Sequence, residues 1–135
     1  MQSLSIRTQK HTQFLDITRS IQSAVAHSGV KKGIATVFVP HTTAGVTLNE
    51  NADPDVVTDL IDALEKAVPW KANYKHVEGN APAHAKASLV GSSVQVIIEE
   101  GILRLGTWQA VYFCEFDGPR SRDIWIQVLG WTIND

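Results

Sequence analysis

The chain has 135 residues, 44% hydrophobic and 19% charged, with a formal net charge of −2. That length and balance suit one globular domain spanning residues 1–135, and exclude a disordered chain. The near-neutral charge leaves no electrostatic footprint for nucleic acid or an anionic membrane.

No apolar run approaches the roughly 20 residues that span a bilayer, and the N-terminus MQSLSIRTQK lacks the apolar stretch of a signal peptide. The single cysteine, Cys114, cannot form an internal disulfide, so a reducing cytoplasm is expected. Residues 2–10 alternate weakly around Leu4 and Ile6 and predict an outer strand. Ile17, Ile21, Ala24, Val25 and Ser28 then form one helical stripe. Asp16 or Thr18 can cap it, and Gly29 can stop it in the left-handed conformation. The β-branched run GIATVFV over 33–39 reads as a buried strand ended by Pro40, with His41 directly after. Val46, Thr47 and Leu48 suggest another short strand.

Asp53-Pro54-Asp55 marks a helix start: a capping carboxylate, a proline at the first position and an acid at the positive end of the dipole. Val56, Val57, Leu60, Ile61, Leu64 and Val68 are its expected buried stripe. Residues 70–81 read as a polar loop, and Pro82 opens a short helix that Gly91 stops. Residues 94–98, 108–116 and 123–129 read as strands, the last with Ile124, Ile126 and Val128 on one face. Consecutive strands favour antiparallel pairing, so the fold class is α+β: a mostly antiparallel sheet packed with two or three helices.

Three histidines lie where chemistry is plausible. His84 falls in the first turn of the helix that Pro82 opens, where the dipole favours a neutral, metal-competent imidazole. His76 precedes it in a His-x-Glu-x-Asn loop with Glu78 and Asn80. His41 sits where a buried strand passes into a loop. His41, His76 and His84 together could hold a divalent ion, zinc or another transition ion suiting them better than oxygen-seeking magnesium. Each also has an ordinary role open to it: His84 as a surface or capping-region residue, His76 as part of a polar surface loop, His41 as a turn-stabilising residue.

In the run NENADPD, helix capping accounts for Asp53 and Asp55 but not for Asn49, Glu50 and Asn51, which could bind metal directly, orient a metal-bound histidine or hold a polar substrate. By alternation Gln109, Val111, Phe113, Glu115 and Asp117 share a face. Arg120 and Arg122 lie just beyond, and these groups form either an anion pocket or an internal salt-bridge cluster. Cys114 falls on the opposite face with Ala110, Tyr112 and Phe116, a core setting and an inert thiol. No Walker or Rossmann glycine pattern is present.

The run SVQVIIEEGILRLGTWQAV carries Ser93, Val96, Ile98, Gly101, Gly106, Thr107, Trp108, Gln109 and Val111 in a distinctive order, and PHTTAGVTLNEN, HVEGNAPAHAKASLVG and EFDGPRSR accompany it. With these motifs the chain resembles the YjbQ-like family, also described as secondary thiamine-phosphate synthase enzymes. The resemblance implies a small α+β subunit, a homotrimer and a polar pocket near a subunit interface. It also implies an activity that joins hydroxymethylpyrimidine diphosphate to a thiazole phosphate, which could be a side reaction. The motif residues it carries over are His41, Asn49, Glu50, Asn51, His76, Glu78, Asn80, His84, Gln109, Glu115 and Arg120. On this reading His41, Glu50, His84 and Glu115 are expected to be catalytic. Asn49, Asn51, Asn80, Gln109 and Arg120 would bind substrate. The rival expectation is a trimer that binds metal or a phosphorylated metabolite without turning it over.

Overall fold

Alternation of side chains gives β1, β5 and β8 one inward apolar face each, and the chain buries these faces by stacking two antiparallel sheets. The computed structural model describes residues 1–131. In chain order the elements are β1 (Gln2–Arg7), β2 (Gln13–Asp16), α1 (Thr18–Ser28), β3 (Lys32–Phe38), β4 (Ala44–Glu50), α2 (Pro54–Ala67), α3 (Ala81–Val90), β5 (Ser93–Glu99), β6 (Ile102–Leu103), β7 (Gln109–Glu115) and β8 (Ser121–Trp131). The larger sheet runs β1-β8-β3-β5-β6 and the smaller β2-β7-β4. Every pairing is antiparallel, so the α+β expectation holds.

The main core lies between the two sheets and α1. Ala35, Val37, Val96, Ile98, Ile124 and Ile126 point into it from the large sheet, and Val46, Val111 and Phe113 from the small one. Ile21, Ala24 and Val25 close it from α1. A second cluster lies on the other side of the small sheet, where Ala110, Tyr112, Cys114 and Phe116 meet Ala83 and Ala87 of α3. Strand β7 is thus covered on both faces, and burial pushes the Cys114 thiol pKa up, as expected of an inert core cysteine.

Local signals operate where the sequence placed them. Gly29 takes the left-handed conformation at φ 75° and ends α1. Asp53 accepts the Asp55 N–H at 2.9 Å, with Pro54 opening α2. Asp16 accepts both the amide and the hydroxyl of Thr18, although Ile17 occupies the capping position. Two strands were not anticipated: β2, with only four residues, and β6, with two. The α2 stripe also differs from expectation, since none of its residues is fully buried. Val57 and Leu64 only lean on the second cluster. No helix among the described residues is long and apolar enough to cross a membrane.

Candidate functional site

Strand β3 ends at Phe38, and Val39 is tied by its N–H to the Ser92 carbonyl at 2.8 Å before Pro40 turns the chain. This delivers His41 to one end of the small sheet. There it meets the loop that carries His76 and Glu78, the start of α3 with Asn80 and His84, and the turn after β7 with Arg120. Together they line an open cleft of about 450 Å³.

Within the cleft the His76 and His84 rings lie 5.2 Å apart between centroids, edge to face. Asn80 donates its amide N–H to Asp117 Oδ2 at 2.9 Å. Because a carboxylate only accepts, this bond fixes the amide orientation and leaves Asn80 Oδ1 as the acceptor. That oxygen is buried and has no hydrogen-bond partner among the described residues. Arg120 also leans on Asp117, through Nη2 to Oδ2 at 3.0 Å and Nε to the backbone carbonyl at 2.9 Å. Its Nη1 remains turned to no protein acceptor among the described residues.

His41 differs from its expected role. Its Nε2 accepts the backbone N–H of Asp123 at 2.9 Å. An imidazole that accepts at Nε2 carries its proton on Nδ1, so the neutral ring presents a donor and keeps no free lone pair for a metal. Burial first, then the Arg122 charge, holds its pKa below the usual histidine value of 6.5. The expected three-histidine metal set therefore does not fit this geometry. Among the described residues no three His, Cys, Asp or Glu side chains are placed to hold one ion. His76 and His84 remain as a possible two-ligand pair.

Glu115 also departs from its expected catalytic role. It is fully buried and accepts from Arg122 Nε at 2.8 Å, Arg122 Nη2, Thr8 Oγ1 at 2.8 Å and the Asp117 amide at 3.0 Å. Arg122 in turn donates to Thr43 Oγ1 at 2.8 Å. Burial alone would raise the carboxyl pKa, but the hydrogen bonds from Arg122, Asp117 and Thr8 outweigh it and hold it below the ordinary range. The pair is an internal salt bridge at the cleft's base, one of the two readings the sequence left open.

The second expected segment does not reach the cleft within one chain. Strand β4 pairs Ala44 with Glu115 at the cleft end and Glu50 with Gln109 at the other. Six strand steps separate the ends, roughly 20 Å. Asn49, Glu50, Asn51 and Gln109 therefore lie away from the histidines. Asn49 Oδ1 accepts the Glu50 amide at 2.7 Å, Asn51 donates to Asp16 at 3.2 Å, and Gln109 Oε1 accepts the Gly106 amide at 2.8 Å. The expectation of one convergent site is corrected to two polar ends. Asp117, grouped with the arginines in the sequence but not singled out, is the carboxylate that holds both Asn80 and Arg120. The Asp123 amide on His41 has no sequence signal at all.

A family model described as "UPF0047 protein YjbQ-like" matches residues 2–131. The UPF0047 protein YugU of Bacillus subtilis is 47% identical over 131 residues, covering 96% of this chain and 99% of that one. A UPF0047 protein of Methanocaldococcus jannaschii is 51% identical over 125 residues, 93% of this chain and 91% of its own. Among solved structures, an uncharacterized conserved protein of the same family from Clostridium acetobutylicum superposes with TM-score 0.94 at 55% identity, over 96% of this chain and 100% of that one. A protein of unknown function from Sulfolobus solfataricus gives 0.93 at 32% identity, over 96% of each chain.

Proposed function

Because the chain belongs to the YjbQ-like UPF0047 family, we propose that its histidine-arginine cleft joins hydroxymethylpyrimidine diphosphate to a thiazole phosphate. The products are thiamine phosphate and diphosphate, formed by a cytoplasmic homotrimer. The observation that carries this reading is the meeting of His41, His76, His84, Asn80 and Arg120 in one cleft. It supplies several donors for an anion and one orphaned acceptor.

The chemistry follows from those groups. The bond between the pyrimidine methylene and the diphosphate oxygen breaks, its electron pair leaving with diphosphate. The lone pair of the thiazole nitrogen then forms the new carbon–nitrogen bond. Arg120 Nη1 and the N–H groups of His41, His76 and His84 stabilise the charge that grows on the leaving group. Asn80 Oδ1 suits an N–H of the aminopyrimidine, because a buried acceptor without a partner favours a ligand that donates to it. His76 and His84 are the pair that could hold a transition ion such as zinc. Magnesium would enter on the diphosphate oxygens instead.

Turnover of the two precursors tests the reading. Arg120→Ala and His84→Ala are each expected to lower kcat/KM about a hundredfold or more, with the circular dichroism spectrum unchanged. Product formation equal to wild type in both variants would sink it. The same donors, with Arg120 Nη1 turned to no acceptor among the described residues, also support a second reading, a trimer that binds metal or a phosphorylated metabolite without converting it. That reading predicts measurable diphosphate binding, lost in Arg120→Ala, and no product.

A further inference from the structure

A second hollow of about 330 Å³ lies beside the cleft, at the low end of the roughly 300–1,000 Å³ that ligand sites occupy. His41, Thr42 and His84 line both and stand between them. The rest of the hollow is built from α3 and the start of β4. On α3 its lining residues His84, Ala87, Ser88 and Gly91 follow at i, i+3, i+4 and i+7, one face of the helix and its end. Gly45 lets β4 close against that end, because a Cβ there would stand 2.5 Å from the Gly91 carbonyl oxygen.

Strand β4 is an edge of the small sheet. The Phe116 amide donates to the Thr43 carbonyl and the Asn51 amide to the Trp108 carbonyl, so the odd-numbered residues along β4 face β7. The even-numbered amides point off the edge. That of Val46 finds the Gly91 carbonyl at 3.1 Å. That of Ala44 points the same way, and Ala44 is 1% exposed and lines the hollow. Its N–H has no acceptor among the described residues. A buried amide is seldom left unpaired, so this one favours a ligand that accepts from it.

The other groups agree in sign. Ser88 gives its proton to the His84 carbonyl at 3.0 Å. The Thr42 and Ser92 hydroxyls have no partner among the described residues and remain free to donate. No carboxylate of the described residues lines the hollow, whereas the cleft carries Glu78. Neutral donors above a small apolar floor of Ala87 and Gly91 suit a compact anion rather than a cation.

We propose that this hollow is a phosphate-monoester subsite, holding the phosphate of the thiazole precursor on the Ala44 amide and the Thr42 and Ser92 hydroxyls, while the cleft holds the diphosphate. The proposal rests on the reaction proposed above, in which two phosphorylated precursors must meet. It assigns each its own anion site, with His41 and His84 at the boundary where the new bond forms.

Binding measured without turnover tests it. Calorimetry uses the thiazole phosphate alone and inorganic diphosphate alone. Ser92→Asp sets a carboxylate at the rim of the hollow, and is expected to weaken the thiazole phosphate about tenfold or more, since like charges oppose each other at close range. Diphosphate binding should be unchanged in that variant, and Arg120→Ala should show the reverse pattern. In amide NMR the Ala44 proton is expected to move downfield with the thiazole phosphate, and to stay with the unphosphorylated thiazole alcohol and with diphosphate. A wild type that does not bind the thiazole phosphate overturns the subsite. So does a Ser92→Asp chain that loses neither ligand or both alike, or an Ala44 amide that does not respond. A wild type that binds both ligands in this pattern yet forms no product sinks the synthase reading and leaves the subsite in place. Should Ser92→Asp fail to fold, Ser88→Glu on the exposed flank of α3 carries the same charge to the hollow and is read in its place.

Discussion

His41 shows how one backbone contact decides what a side chain can do. With Nε2 occupied by the Asp123 amide, the ring is restricted to a neutral donor at Nδ1. Its folded pKa lies below the 6.5 of the free side chain, from burial and then Arg122. Nitrogen-detected NMR is expected to find the Nδ1–H tautomer at pH 7 and a titration midpoint under 6.5. A midpoint above that value, or an Nε2–H ring, would contradict the geometry. Glu115 is the second case. Its folded pKa is depressed below the ordinary glutamate value of 4.5, so the stability it contributes is complete above that value and is lost as the pH falls through the folded one. Glu115→Gln leaves Arg122 buried at 3% exposure with its charge unbalanced. It is expected to cost about 3 kcal/mol at pH 7 by denaturant midpoint. The gap to wild type should narrow in acid, and a constant gap from neutral to acid would rule out the ion pair as its source. At this scale the sequence named the right residue types, because charge and alternation are local. It could not distinguish Arg120 from Arg122 as the partner of Glu115, since a bend of a few residues decides which guanidinium turns inward.

Elements were legible in proportion to their length and punctuation. α1 and α2 carry stripes bounded by caps, and β3, β5 and β8 carry clean alternation, so their sequences determine them nearly alone. β2 and β6 are held by pairing to β7 and β5 and show no pattern of their own over so few residues. The α2 stripe predicts burial that the fold does not complete, because amphipathicity reports that a face prefers cover, not how much cover the fold provides. What ties α2 to α3 instead is Lys86, almost fully buried, whose Nζ meets Glu65. That hydrogen bond, ahead of the other contributions, holds the Glu65 pKa below its ordinary value. Two substitutions separate the roles of the pair. Glu65→Ala strands a buried ammonium and is expected to cost about 2 kcal/mol in chemical denaturation. Lys86→Met replaces the charge with an apolar chain of similar length beside Ala83 and Ala87. It is expected to stay within about 1 kcal/mol of wild type or to exceed it. If Lys86→Met proves the costlier change, the ammonium has a role beyond this pair.

For the whole molecule, the sequence grouped Asn49, Glu50, Asn51 and Gln109 with the histidines because their residue types suit one polar site. The strand that joins the two groups holds them at opposite ends, and linear order gives no sign of that separation until the pairing of β4 with β7 is known. The uncovered sheet face was equally hidden, since its apolar residues Ile34, Ile97 and Leu129 are scattered singly among polar ones on three different strands. Thr36 and Gln95 lie on the outer side beside Ile34 and Ile97. If that face is covered only by another copy, folding and assembly share one equilibrium, and stability depends on concentration. A hundredfold rise in protein concentration is then worth up to about 2.7 kcal/mol, which is several degrees in Tm for a domain of this size. Calorimetry is expected to show that rise for wild type. Leu129→Lys should be free of it, because an ammonium on the face opposes burial while its own chain keeps every inward-facing core residue. A wild-type Tm that stays fixed across the hundredfold range would mean that the exposed row of Ile34, Ile97 and Leu129 faces water in the native state.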